Sequence, residues 1–401
     1  MIERSENVKI GILSNTVSKA NRIHGVHRTL DAIIEEMNAS DMVRHVCVGK
    51  STTISGPSFD QLIEIYTPAV KQLVEDENAD ILAIDGGDGT AHIVYSVLMH
   101  LYKTSPDKIP AVVHMRGGTI NYIADSTDVP KRTPLRWIPH QLTQIPWIGK
   151  YMPFKTEHAP EYVLKRLIRT CRNMAHSQVK DEHTSKYRLL KVDDALEDKL
   201  GPKKYGLLCA FGAPYNFLKK YYDPETGTAG PYKALKIIAK GIGCAMISNY
   251  NKRARTYVDS ILEKIKATVN LDEEELSHTE YTGIVSTSKD VRLKLTPLVL
   301  RVSKGIDELY TLDRENNSYY GIRAFSANVN IPKLLWTFAK VALPWFTVRD
   351  NGEINNRQVR EIIISPRTGS NTGYSVEGNL YETTGKVRIT PSEVMMSFFK
   401  F

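Results

Sequence analysis

Residues 81–95 read I-L-A-I-D-G-G-D-G-T-A-H-I-V-Y. Four apolar residues of strand type run into a glycine-rich turn, and the turn opens on a stretch with the apolar spacing of a helix beginning near Ala91. Consecutive glycines let a main chain approach a polyphosphate with only N–H groups presented, and the helix N-terminus behind them adds partial positive charge. Gly86, Gly87, Gly89 and Thr90 are the expected phosphate contacts. Asp88, in their midst, sets a carboxylate beside phosphate. That placement implies a magnesium ion or proton-transfer chemistry, because bare carboxylate and phosphate repel.

A second loop, R-G-G-T-I-N at residues 116–121, follows another apolar strand, residues 112–115. Two glycine loops on neighbouring strand ends can clasp one nucleotide. Thr90, Thr119 and Asn121 then supply neutral hydrogen-bonding groups.

Outward from these loops, short β-branched runs alternate with helical patterns from residue 9 to residue 115. Such alternation predicts a parallel sheet covered on both faces, with ligands at the carboxyl ends of its strands. At 401 residues the chain exceeds one ordinary core. It divides into an N-terminal Rossmann-like α/β domain, residues 1–160, and a C-terminal β-sandwich domain with inserted helices, residues 161–401. Strands are expected at Y-R-L-L-K-V, Y-G-L-L-C-A-F, Y-T-G-I-V-S-T, P-L-V-L-R-V, Y-Y-G-I-R-A-F, V-R-E-I-I-I-S and L-Y-E-T-T-G-K-V-R-I, and helices at 234–248, 257–267 and 332–341. Residues 131–155 form an insert in which repeated prolines forbid a long helix. Its tryptophans, flanked by Lys and Arg, suit either a membrane interface or packing on the protein.

Lys and Arg number 53 against 45 Asp and Glu, a formal charge of +8, which suits anionic partners such as nucleotides and phospholipid headgroups. The cations are spread along the chain without a nucleic-acid motif, so nucleic acid is not an expected partner. Four cysteines without C-x-x-C spacing indicate neither a zinc site nor a disulfide framework. With no long apolar run and no signal-peptide pattern, a cytoplasmic protein that touches membranes only peripherally is expected.

The pair G-G-D-G-T and G-G-T-x-N, in this order and separation, resembles the catalytic domain of diacylglycerol kinases, sphingosine kinases and their bacterial lipid kinase relatives. The resemblance extends to Y-G-L-L-C-A-F-G-A with Gly212, and to G-Y-S-V-E-G-N-L-Y-E-T-T-G-K-V-R-I near the end, so it covers nearly the whole chain apart from the insert. It implies γ-phosphoryl transfer from ATP, with Mg²⁺, to the hydroxyl of a membrane lipid. Nucleotide contacts fall on Gly86 to Thr90 and on Gly118, Thr119 and Asn121, and Asp88 is implied as essential; its carboxylate beside phosphate also makes Asp88 the candidate metal ligand. The opening I-L-S-N-T-V-S-K looks like the family's N-P-x-S-G loop, keeping Asn15 and Ser18 but carrying Thr16 for proline and Lys19 for glycine. Glu377 stands where the family has the aspartate held to be its base, and Asn379 where it has a glutamate. Glu377 or Asp88 is therefore the expected proton acceptor.

Two other readings compete. NAD kinases share G-G-D-G-T, but their T-P-x-G-S-T-A-Y segment has no counterpart here. A non-catalytic nucleotide or lipid sensor is suggested by Glu377 and Asn379 and opposed by the intact Asp88.

Overall fold

The structure, a computed structural model, describes residues 8–49, 57–118, 121–130, 159–172, 174, 179, 182–194, 203–226, 231–248, 250–288, 292–295, 298–301, 320–326, 354–367 and 371–401. The fold is α/β, with mixed β-sheet and helices. Two compact units are formed: Met1–Tyr187 with Lys294–Pro297 and Glu393–Phe401, and Arg188–Leu293 with Leu298–Ser392.

The first unit alternates strand and helix: β1 (Ile10–Asn15), α1 (Lys19–His24), α2 (Val26–Glu36), β2 (Val43–Val48), α3 (Phe59–Lys71), β3 (Ile81–Asp85), α4 (Asp88–Tyr102), β4 (Ala111–His114), α5 (Tyr122–Ser126) and α6 (Ala159–Cys171). β1 lies between β2 and β3, β4 pairs with β3, and Phe398 of the chain's last strand pairs with Val112, all in parallel. Side chains alternate across this sheet. Ile10, Ile12, Ile81, Ala83, Ala111 and Val113 pack with the apolar stripes of α2 and α6. α3 starts where Ser58 accepts from the Gln61 amide and Gln61 bonds back to Ser58, a reciprocal cap written in the sequence S-F-D-Q. α4 is buried from Thr90 to Met99, which is why its sequence shows little polar face. The chain leaves β1 toward β2 on one side and β3 toward β4 on the other, so strand order reverses between β1 and β3. In open α/β sheets that reversal leaves a crevice at the carboxyl ends of the two strands.

The second unit contains most of β5 (Thr184–Asp193), then β6 (Lys204–Gly206), β7 (Leu208–Gly212), α7 (Ala213–Tyr222), α8 (Pro231–Ile247), α9 (Lys252–Ile261), β8 (Ile265–Leu271), β9 (Glu274–Glu275), β10 (Glu280–Thr287), β11 (Arg292–Leu295), β12 (Leu298–Arg301), β13 (Tyr320–Ser326), β14 (Ile354–Val359), β15 (Ile362–Pro366), β16 (Thr372–Val376), β17 (Asn379–Thr383) and the start of β18 (Val387–Phe399). Strands pair antiparallel in the order β17-β16-β7-β10-β8-β15-β18, with β13 on β10 and β14 on β13. Their inward side chains, among them Phe211, Tyr281, Ile284, Ile322, Ile362 and Tyr374, form one core.

The expected helix at 257–267 is corrected. α9 runs Lys252–Ile261 because the Asn251 side chain accepts from the Ala254 amide at 3.1 Å and starts it earlier. From Ile265 the burial pattern alternates, and the segment is β8. The run V-R-E-I-I-I-S is not one strand either: the chain turns at Arg360 and Glu361, whose amides both donate to Asp272 Oδ1 at 2.8 Å. α4 begins at Asp88, a turn ahead of the expected start near Ala91. The expected helix at 332–341 and the insert at 131–155 lie outside the described residues.

Candidate functional site

Three strand tips of the first unit carry the candidate groups. β1 ends in Asn15, β3 in Asp85 and β4 in His114. Gly86 and Gly87 follow β3 and deliver the chain into α4, with Gly87 at the cap position. A Cβ on Gly86 would meet the Thr90 side chain at 2.6 Å. One on Gly118 would stand 2.5 Å from Gly87 Cα, and one on Gly117 would lie 2.8 Å from Asp85 Oδ1. The two glycine loops therefore touch main chain to main chain, and their lack of side chains is what permits the approach.

The second loop is locked from within. Asn121 holds a left-handed conformation (φ 54°), its Oδ1 accepting from the Gly118 amide at 2.8 Å and its Nδ2 donating to the Gly118 carbonyl at 2.9 Å. Arg116, buried and also left-handed (φ 63°), donates to Asp125 Oδ1 at 2.7 Å and to the Val129 carbonyl. Removing either member of so buried an ion pair would strand the other charge.

Asp88 occupies the first turn of α4, where a carboxylate complements the helix dipole. Its Oδ1 accepts from the Ile123 amide at 3.2 Å, tying α4 to α5. Burial pushes this carboxyl up to about 7; the Asp125 charge adds to the rise, while the Ile123 and Asn121 amides and the Arg116 charge oppose it. A carboxyl poised near neutrality inside a loop cluster is the kind of group that moves protons or takes a metal ion.

Asn15 donates to Thr90 Oγ1 at 2.8 Å and accepts the Val17 amide at 3.0 Å, so two expected contact residues bond each other. Ser18 caps α1 by position only: its buried Oγ has no hydrogen-bond partner among the described residues. Lys19 is held below the usual lysine range, chiefly by burial and then by Arg22. Thr119 lies outside the described residues.

Sequence reasoning did not single out Asp85, which is fully buried. Its Oδ2 accepts from Ser14 Oγ at 2.7 Å and Asn21 Nδ2 at 2.8 Å, while Oδ1 has no hydrogen-bond partner among the described residues. Burial raises this carboxyl, against the Ser14 and Asn21 bonds and the nearby His45 and His27. His45 sits 2.7 Å from Ser14 Oγ on one ring nitrogen and 2.7 Å from Asp31 on the other. The only signal for Asp85 was its place as first residue of D-G-G-D-G-T; nothing in the sequence linked Ser14, Asn21 and His45 to it.

In the second unit, Glu377 and Gly378 form the two-residue turn between β16 and β17, both with positive φ (52° and 84°). The Glu377 side chain is buried, and its Oε1 accepts from the Leu207 amide and from the Leu208 amide, the latter at 3.1 Å. Leu207 is the break between β6 and β7, so the carboxylate satisfies main-chain donors there. A Cβ on Gly206 would meet Glu377 Cγ at 2.7 Å. Asn379 opens β17 opposite Val376. Glu382 receives Tyr215 Oη at 2.5 Å, Asn371 at 3.1 Å and Lys219 at 3.3 Å, and the Tyr215 bond above all holds its carboxyl low.

No group of three or more His, Cys, Asp or Glu able to hold a metal exists among the described residues. Magnesium does not require one: it is commonly held by one or two carboxylates together with phosphate oxygens and water. Asp88 is the carboxylate at the glycine loops that fits this pattern.

No family model matches the chain, and no curated protein matches its sequence. Solved structures do. A diacylglycerol kinase from Bacillus anthracis str. Sterne superposes with a TM-score of 0.50 at 10% identity, covering 98% of this chain and 97% of that one. Two more from the same strain, whose names give the same assignment provisionally, superpose with TM-scores of 0.54 and 0.51 at 12% identity, each covering 98% of both chains. Across nearly its full length, this chain has the fold of the bacterial diacylglycerol kinase structures.

Proposed function

We propose that the chain is a lipid kinase that transfers the γ-phosphoryl of ATP to a hydroxyl of a membrane lipid: a diacylglycerol, a sphingoid base or a related amphiphile. The observation that carries this reading is Asp88, its carboxyl near neutrality, in the first turn of α4 at interlocked glycine loops. The shared fold supports it.

In this reading the main chain of Gly86, Gly87 and Gly89, with the α4 N-terminus behind it, receives nucleotide phosphates. Asn15, Ser18 and Thr90 contribute hydrogen bonds from the β1 side, and Gly118, Thr119 and Asn121 from the second loop. Asp88 holds Mg²⁺, which offsets phosphate charge when bound. Asp88 or Glu377 accepts the proton of the lipid hydroxyl. The protein is cytoplasmic and meets anionic membrane peripherally; among the described residues no helix is long and apolar enough to cross one.

A second reading, a nucleotide or lipid sensor without turnover, is favoured by one observation: a Glu377 carboxylate oxygen is already taken by two main-chain amides. Incubation with γ-labelled ATP and mixed lipids separates the two. Label in a chloroform-soluble product, abolished in Asp88→Asn, is the expected result; tight ATP binding with no labelled lipid would leave only the sensor.

A further inference from the structure

Helix α8 turns an apolar face outward. Of the eight large hydrophobic residues exposed among those described, five fall between residues 238 and 250: Ile238, Ile242, Met246, Ile247 and Tyr250. Met246 is 77% and Tyr250 93% exposed, far beyond the partial exposure of a core residue at a rim. On a 3.6-residue period, Ile238, Ile242, Met246 and Ile247 share one side with Ala239 and Gly243, which are exposed too. The opposite side, through Ala234 and Ile237, packs on Tyr221, Phe217 and Leu218 of α7 and on Ile261. The helix is thus anchored by one apolar stripe and presents a second to its surroundings.

The charges on α8 and at the start of α9 have one sign, and the first acid beyond them, Asp259 on α9, pairs with Arg255 at 3.9 Å. Residues 227–258 contain four lysines and two arginines and no Asp or Glu. Lys236, Lys240, Lys252, Arg253 and Arg255 are all exposed. Lys240 Nζ sits 4.4 Å from the ring centroid of Tyr257, keeping a cation beside the stripe. An exposed apolar strip, cationic flanks and a terminal tyrosine match the interfacial zone of an anionic bilayer, where acyl chains accept the strip and phosphates accept the cations.

We propose that the outward face of α8, with the α8–α9 connection, is a docking surface for an anionic lipid bilayer, the helix lying in the plane of the interface. This deepens the lipid kinase reading by naming a membrane contact, but it rests on the exposed face alone.

The test uses the full chain and sedimentation with two vesicle types, phosphatidylcholine alone and phosphatidylcholine with phosphatidylserine. The expected result is binding to the mixed vesicles, weakened by salt. Ile242→Ser/Met246→Ser/Ile247→Ser should lower that binding by about tenfold or more, since each side chain loses a favourable transfer into acyl chains. Lys252→Glu/Arg253→Glu should lower it by about tenfold and remove most of its salt dependence. All of these side chains are exposed, so unchanged far-ultraviolet dichroism and melting temperature are expected, and ATP affinity without lipid serves as the check. Wild-type binding by the triple-serine variant would overturn the proposal, as would equal binding to both vesicle types or no binding to either. So would a dimer in sedimentation velocity that the serine substitutions dissociate, because the face would then belong to a second copy. If vesicle binding behaves as expected while no lipid is phosphorylated, the kinase reading alone fails.

Discussion

Asp88 carries the most specific consequences at the scale of single residues. Its carboxyl is lifted from an ordinary 3.8 to about 7 in the folded chain. Below about pH 4 it is neutral folded or unfolded and costs nothing. As pH rises toward 7 only the unfolded chain ionises fully, so stability falls, and above about 7 the loss is complete. Asp88→Asn, which keeps an oxygen for the Ile123 amide, should therefore raise the melting temperature at pH 8 by roughly 5 °C and hardly change it at pH 4. The same substitution should abolish lipid phosphorylation, and wild-type activity should climb through about pH 7 as the carboxylate forms. Equal shifts at both pH values would mean that Asp88 titrates normally. Glu377 needs a different pair of substitutions. Glu377→Gln retains an acceptor for Leu207 and Leu208 and should melt within a few degrees of wild type, whereas Glu377→Ala leaves two buried amides unbonded and should cost about 2–4 kcal/mol. Loss of turnover in Glu377→Gln with an unchanged melt would identify it as a base; full turnover would assign it to holding the β6–β7 break.

Among elements, the two glycine loops are the sharpest case. Gly118→Ala would put a methyl 2.5 Å from Gly87 Cα, and main chain on both sides has little room to yield. It should destabilise the first unit by about 2–3 kcal/mol and weaken ATP binding, as denaturant melts and calorimetric titration would measure. Gly243→Ala is the control: a Cβ there meets nothing within 4 Å, and alanine should strengthen α8 by about 0.5–1 kcal/mol. The sequence exposed these loops plainly because glycine pairs between an apolar run and a helical pattern have few other uses. What it concealed was that Gly87 and Gly118 contact each other. Spacing along a chain says where a loop lies and nothing about which loop it meets. The misread helix at 257–267 has a similar origin: Y-V-D-S-I-L carries helical spacing and I-K-A-T-V-N-L alternates, but the join has no Gly or Pro to mark it. Asp85 with Ser14, Asn21 and His45 is a third instance, assembled from four separate elements by tertiary contact alone.

At the scale of the whole molecule, the chain's last residues belong to the unit that its first residues build. No local pattern in M-M-S-F-F-K-F announces this return, because an apolar tail reads the same whichever core receives it. Phe398 pairs beside Val112 and packs against Tyr95 and Tyr187, with ring centroids 5.9 and 5.8 Å apart, and Phe399 stacks on His183 at 5.9 Å. Phe399 also belongs to the core built by α2 and α6. Truncation after Ser392 would uncover the outer edge of β4 and remove both rings, each worth about 2–3 kcal/mol of buried apolar surface. The strands β17-β16-β7-β10-β8-β15 keep their partners, because β18 pairs with β15 over Val387 to Ile389. The truncated chain should therefore show an early thermal transition with loss of ATP binding, followed by a later one near the wild-type second-unit melt, resolvable by calorimetry with nucleotide added to mark the first unit. A single transition at the wild-type temperature, with ATP still bound, would mean that the first unit is complete without its returning strand.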